Sequence, residues 1–240
     1  MNTPENRLIA LLPPADRIRL LSRCDNVELK LSDVLGEPGQ TTQHVYFPVN
    51  GFVSVLSRVD EHSLVEVGMV GREGMLGVWL ALDQIEMPWH SLVQGSGSAW
   101  RMSAAHFRRE LSRSATLRRN LNRYLFLLIG QLSTSVACQR FHQIGPRLAR
   151  WLLMSQDRAH SESFHVTHEF LAAMLGVRRV GVTMAAHALQ TSGYIEYRRG
   201  ELTVTDRAGL ENAACSCYRS ECDAYTRVLN SPAMATDAGG

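Results

Sequence analysis

Apolar positions recur along this chain at two different periods, and the change of period divides it. Between positions 27 and 102 they come in short runs of β character, at 27–31, 44–47, 52–59, 64–70, 91–94 and 99–102. Turn residues separate them: Gly36-Glu37-Pro38-Gly39, Asn50-Gly51, Gly71-Arg72-Glu73-Gly74 and Gly95-Ser96-Gly97. Short strands at regular intervals with glycine-rich turns predict a sandwich or jelly-roll barrel. A short helix over 15–22, started by Pro13 and Pro14, precedes it. Ser103 is placed to cap a helical segment that turns Phe107 and Leu111 inward.

From 116 to 139 the period lengthens to that of a helix. Leu121, Leu125, Leu128, Leu132 and Val136 form a stripe like a coiled-coil seam, and Phe126 and Ile129 add a second flank. So broad an apolar face exceeds what packing on one small barrel needs, and it predicts a dimer interface along Leu121, Leu125, Leu128, Leu132 and Val136. A further helical run over 145–157 carries Leu148, Trp151, Leu152 and Leu153 and opens a second domain.

The segment 166–197 is the most specific in the chain. Thr167 suits a helix N-cap and Glu169 the first turn, where the helix dipole favours an acid. Phe170, Leu171, Met174 and Leu175 give one apolar face, small Ala172 permits close approach, and Gly176 suits a tight turn because positive φ costs glycine nothing. Val177 plugs the corner. A second helix, from about 178 to 192, turns Val182, Ala185, Ala186 and Leu189 inward until Gly193 stops it. Two strands, 194–197 and 201–204, flank a turn at Arg198, Arg199 and Gly200. This is the pattern of a helix-turn-helix with a wing. An ordinary helical hairpin needs neither the glycine turn nor the basic wing tip.

The second helix of such a unit lies in the major groove. Its outward residues are Arg178, Arg179, Val180, Thr183, Met184 and His187. Arg179 suits a bidentate contact to guanine, and Val180, Thr183 or Met184 can pack on a thymine methyl. Thr167, His168, Arg198 and Arg199 are expected at phosphates.

Composition refines this picture modestly. The net charge of +2 excludes a uniformly basic nucleic-acid coat. Residues 140–207 carry nine arginines against six acids, whereas residues 1–60 carry six basic groups against seven acids. No secretory signal opens the chain and no apolar run reaches bilayer length, so a cytoplasmic protein without a membrane partner is expected. Five cysteines then read as reduced thiols. On one straight helix Cys215 and Cys222 would share a face and Cys217 would point elsewhere, so no metal site is expected there. Buried or idle thiols are the simpler reading, a redox-sensing thiol the other. Cys138 reads as core. No nucleophile–base pair, phosphate loop or His ligand motif is present, so neither an enzyme, a catalytic residue nor a cofactor is expected.

The order barrel, long helix, helix-turn-helix, wing resembles the Crp–Fnr superfamily of bacterial transcription regulators. The resemblance spans about residues 15–211. It rests on the DNA-binding run and on Asp33-Val34-Leu35-Gly36-Glu37-Pro38-Gly39 with Val45-Tyr46-Phe47 and Gly51. It implies an α+β chain with a cyclic-nucleotide-binding-type jelly-roll barrel over 1–114, a long dimerisation helix over 115–143 and a winged helix-turn-helix domain over 144–230. Residues 231–240 are expected to be a disordered tail. It further implies a homodimer on a palindromic double-stranded operator, with RNA polymerase as a partner. Two departures stand out. Cyclic-nucleotide binders of the family carry a Gly-Glu pair and an Arg-Ser or Arg-Thr pair; here Val78 replaces the glutamate and the strand at 88–93 has no arginine. A cyclic phosphate would lack its counter-charge, so cyclic AMP is not the expected effector. Glu73 is out of register as a substitute. Of the family's reading set Arg-Glu-x-x-x-Arg only the first arginine is kept, at Arg179, with Val180 and Met184 at the other positions, so base preference should differ. Iron–sulfur members need several thiolates near the N-terminus, where Cys24 stands alone. Trp79, Trp89 and His90 line a possible pocket for another effector or form core. One alternative remains: an effector- or redox-sensing module with a vestigial DNA-binding arm.

Overall fold

The computed structural model describes residues 5–59, 64–159 and 161–230. The expected tail at 231–240 lies outside them. Two short helices, α1 (Arg7–Ala10) and α2 (Pro14–Leu21), lead into five strands: β1 (Asp25–Leu29), β2 (Val34–Gly36), β3 (His44–Arg58), β4 (Leu64–Val70) and β5 (His90–Ser103). All pairings are antiparallel, in the order β1-β5-β3-β4, with β2 also on β5. The sheet rolls around Leu29, Val45, Phe47, Leu76, Leu80 and Phe107 without closing its hydrogen-bonded order, a jelly-roll type of wall. A 3-10 turn (Val78–Leu82) closes one end.

Two expected turns are absent, for a common reason. Asn50-Gly51 lies inside β3 and Gly95-Ser96-Gly97 inside β5, where the strands cross with shifted register. Gly51 has φ +76°, and a Cβ there would sit 2.3 Å from the Gly95 carbonyl oxygen. A Cβ on Gly97 would sit 2.3 Å from the Asn50 carbonyl oxygen. These glycines serve a bulge with close backbone contact, which in sequence looks the same as a turn.

Helix α3 (Ala104–Arg113) is capped by Ser103, whose Oγ accepts from the His106 N–H at 3.3 Å. Helix α4 (Ala115–Phe141) is capped by Ser114 in the same way and runs 27 residues. Its inward face is Leu117, Leu121, Tyr124, Leu127, Gln131, Ser135 and Cys138. Leu121, expected on the dimer seam, is 0 % exposed within the chain's own core. Leu125, Leu128 and Leu132 are half-buried between two faces, and the outward face carries Phe126, Ile129 and Val136 at 65, 63 and 70 % exposure. The sequence stripe is therefore two adjoining stripes, and periodicity alone does not say which one the barrel takes.

The C-terminal part comprises α5 (Ile144–Ala159), β6 (Ser163–His165), α6 (His168–Leu175), α7 (Arg179–Thr191), β7 (Ile195–Arg198), β8 (Glu201–Val204), α8 (Arg207–Ala213) and α9 (Cys217–Asn230). Strands β6, β8 and β7 form a small antiparallel sheet in that order. Its core joins Leu148, Leu152, Leu171, Val182, Leu189 and Ile195 to Phe52, Leu56 and Met69 of the barrel wall. Helix α9 leaves this core: Tyr225 and Leu229 pack with the barrel and α4. A buried ionic network crosses the joint. Arg158 Nε meets Glu73 Oε1 at 2.7 Å, Arg150 Nη2 meets Glu221 Oε2 at 2.8 Å, and Gln131 Nε2 donates to Glu221 Oε1 at 2.7 Å. The chain breaks its helix between Ala213 and Cys217, so the three late cysteines do not share one straight helix as expected.

Candidate DNA interface

Helix α6 starts where Thr167 Oγ1 accepts from the Phe170 N–H at 3.1 Å, with Glu169 in the first turn. It stops at Gly176, which has φ +61° and ψ +43° and returns its N–H to Ala172 and Ala173. A left-handed residue there reverses the chain in one step, which glycine does without strain. Val177 follows, half-buried at the corner.

Helix α7 buries Val182, Ala186 and Leu189. The 3.6-residue period then forces the opposite side into solvent. Arg178, Arg179, Val180, Thr183, Met184 and His187 are all exposed, Val180 and Met184 at 69 % each. Arg178, the N-cap residue, makes no side-chain cap bond, so α7 starts beside two arginines with no side chain satisfying its first N–H groups. A helix start of this kind favours an anion. Neither Arg178 nor Arg179 makes a salt bridge among the described residues. Two large apolar side chains left in solvent on a helix with free arginines form a surface suited to base edges and thymine methyls.

His168 also makes contacts within the unit itself. Its ring stacks on Tyr197 at 4.6 Å and 18°, and its Nδ1 lies 3.1 Å from Thr183 Oγ1. Thr183 Oγ1 donates to the Arg179 carbonyl at 3.1 Å, so the histidine nitrogen is the donor of the pair. Nε2 is buried with no hydrogen-bond partner among the described residues. Burial, with Arg179 nearby, pushes the His168 pKa down. The ring thus bridges α6, α7 and the wing. Tyr197 Oη completes the bridge by donating to the Val166 carbonyl at 2.8 Å.

Arg198 and Arg199 occupy the hairpin tip between β7 and β8, both exposed. Arg198 Nε meets Glu196 at 2.7 Å on the surface, and Arg199 adopts φ +51°. Sequence reasoning missed β6, which pairs Ser163, Phe164 and His165 with Thr203, Leu202 and Glu201 and gives the wing its third strand.

One apolar cavity lies between the barrel wall and α4. It is lined by Val55, Met75, Trp79, Trp89 and Leu128 and measures about 20 Å³. Small-molecule sites usually span some 300 Å³ or more. Trp79 and Trp89 close it edge-to-face at 6.2 Å, and Trp79 Nε1 donates to Thr42 at 2.8 Å. His90 faces away, with Nδ1 2.9 Å from Glu37. Glu73 is committed to Arg158 and to the Gly71 N–H.

Among the described residues no helix is long and apolar enough to cross a membrane. No curated protein matches the sequence significantly. Residues 146–213 match the Crp-like helix-turn-helix domain. Solved structures of similar fold include a protein assigned to the Crp/Fnr regulators from Eubacterium rectale, 17 % identical, covering 90 % of this chain and 100 % of that one with a TM-score of 0.67. FixK2 from Bradyrhizobium japonicum is 13 % identical over 80 % of this chain and 98 % of its own, with a TM-score of 0.67. CLP, a c-di-GMP-responsive global regulator from Xanthomonas campestris, is 15 % identical over 80 % and 99 %, with a TM-score of 0.65. The chain is therefore one with the fold of the Crp/Fnr transcription regulators, and its residues 146–213 are a Crp-like helix-turn-helix domain.

Proposed function

We propose that the protein is a homodimeric, sequence-specific transcription regulator of the cytoplasm, and not an enzyme. The observation that carries this is the outward row on α7, where Arg179 makes no salt bridge among the described residues and Val180 and Met184 stand in solvent. Arg179 reads a base, Val180, Thr183 and Met184 pack along the groove, and His187 extends the row. Thr167, Arg178, Arg198 and Arg199 hold phosphates. His168 positions Thr183. The outward flank of α4, with Phe126, Ile129 and Val136 beside Leu125, Leu128 and Leu132, pairs with a second copy, so that two α7 helices address the halves of a palindrome. RNA polymerase is the expected partner once the dimer is on its operator.

Cyclic AMP is not the effector in this reading. The cavity beside α4 is small and apolar, Val78 is buried in the 3-10 turn, and no arginine faces the space. An uncompensated phosphate there would be costly.

Selection of sites from random duplex DNA by the purified protein, without added ligand and at physiological salt, tests the proposal. A palindromic site lost with Arg179→Ala supports it. Enrichment that survives Arg179→Ala, or none even with cell extract added, refutes it. Calorimetry showing micromolar cyclic AMP binding would overturn the statement about the effector.

A further inference from the structure

Four potential metal ligands that DNA recognition leaves unused converge at the joint between α4 and α5. Cys138 and His142 stand one helical turn apart at the end of α4, where His142 is the C-cap residue. Cys215 comes from the break between α8 and α9, which its N–H ties to the Pro146 carbonyl at 3.3 Å, and Cys217 opens α9. Cys138 Sγ lies 3.5 Å from Cys215 Sγ, and Cys217 Sγ lies 3.5 Å from His142 Nδ1. All four ligating atoms fall within 4.8 Å of one another. Tetrahedral zinc with sulfur at about 2.3 Å and nitrogen at about 2.0 Å separates its ligand atoms by about 3.4–3.8 Å, so small rotamer shifts close this set on one ion. A disulfide needs sulfurs about 2.05 Å apart. It would join only Cys138 and Cys215, leaving His142 and Cys217 beside it without a reason.

Charge supplies a second, independent observation. Arg147 is 7 % exposed and pairs with no carboxylate among the described residues. Its guanidinium donates to the Leu175 carbonyl, and the charged or ionisable groups acting on it are Cys138, Cys215 and Arg150. Arg150 already has Glu221. A buried cation without a counter-charge is strongly unfavourable. Three thiolates and a neutral imidazole on a dication carry one net negative charge, which is what Arg147 lacks.

We propose that Cys138, His142, Cys215 and Cys217 bind one zinc-type divalent cation that clamps the end of α4 to the α8–α9 break. Four protein donors leave no open position, so the site is structural and not catalytic. It sits where the helix-turn-helix domain joins α4, and so fixes the pose of α7. That last link rests on the DNA reading; metal binding itself does not.

The test uses the full chain, purified under reducing conditions, stripped with chelator and titrated anaerobically with Co²⁺. The expected result is one Co²⁺ per chain, with visible bands of tetrahedral cobalt and near-ultraviolet thiolate charge transfer, both erased by Zn²⁺. Losing even an outer partner of a metal ligand lowers affinity about 10–100-fold, so Cys217→Ser should lower it by at least about tenfold. Cys222→Ser, exposed and outside the cluster, should leave it unchanged. Absence of thiolate–cobalt bands in the folded wild-type protein overturns the proposal, as does a loss with Cys222→Ser equal to that with Cys217→Ser. Stoichiometric metal without selected DNA sites would uphold the metal site and sink the DNA reading; sites without metal would do the reverse.

Discussion

Ile129→Ala asks which flank of α4 meets a second copy. Ile129 is 63 % exposed and sits between Phe126 and Val136 on the outward face. Full burial of such a side chain is worth about 1.5–3 kcal/mol, so covering the part still in water returns about 1–2 kcal/mol per chain. Two-fold symmetry counts the loss twice, giving about 2–4 kcal/mol for the dimer. At about 1.4 kcal/mol per decade, the dimer Kd should rise roughly 30- to 700-fold. The folded chain should not notice, because exposed positions change stability by only about 0.5 kcal/mol. Leu121→Ala is the counterpart: with no exposure it should cost about 2–5 kcal/mol of folding stability. Sedimentation equilibrium over a concentration series reads the first quantity and urea denaturation the second. A dimer Kd that moves less than about threefold in Ile129→Ala would refute the placement of the interface.

Other outcomes follow from the joint and the reading helix. Arg179→Ala should weaken the selected site by about 1–3 kcal/mol per half-site and relax its base preference, whereas Arg199→Ala should weaken all duplexes alike and flatten the salt dependence; competition titrations at two salt concentrations separate them. Glu221→Ala strips Arg150 of its carboxylate and should lower stability by about 3–5 kcal/mol, read from the denaturation midpoint. Burial raises the Glu66 pKa to about 7, against hydrogen bonds from Ser54 and Trp151 that lower it. The folded chain then binds more protons than the unfolded one between the ordinary carboxylate range and pH 7. Stability should fall by about 1–2 kcal/mol as pH rises from the ordinary carboxylate range to about 7, an amount discounted because Glu66 is only half-buried. Glu66→Gln should flatten that slope; an unchanged slope would show that another group sets it.

Much of the candidate reading surface is legible because it depends on local rules. Thr167 as cap, Gly176 as left-handed stop and Val182, Ala186 and Leu189 as the inner face are enough to turn Arg179, Val180, Thr183, Met184 and His187 outward. The strut role of His168 is not legible, since the stack on Tyr197 is a contact between distant segments. The glycines at 51 and 95–97 mislead because close backbone approach and turning ask for the same residue. β6 has three residues, too few for alternation to show. The thiol and imidazole cluster escapes for a similar reason. Its halves are 77 residues apart, and only the helix break at Cys215 lets them meet. The local hints are a cysteine and a histidine four residues apart at a helix end and the Cys215-Ser216-Cys217 pair, which a single straight helix would have kept apart.

The return of α9 to the barrel has a consequence for how such regulators can be recombined. The matched domain ends at residue 213, yet Arg150 inside it depends on Glu221 beyond it, and Tyr225 and Leu229 are cemented into the first core. A graft of residues 146–213 onto another sensor would import two buried arginines, Arg150 and Arg158, whose carboxylates at Glu221 and Glu73 stay behind. The stretch that reads DNA is therefore narrower than the stretch that can be exchanged. A working chimaera has to carry α9 along and keep an acid opposite Arg158, so the heritable module of this fold straddles the line along which its recognition domain is drawn.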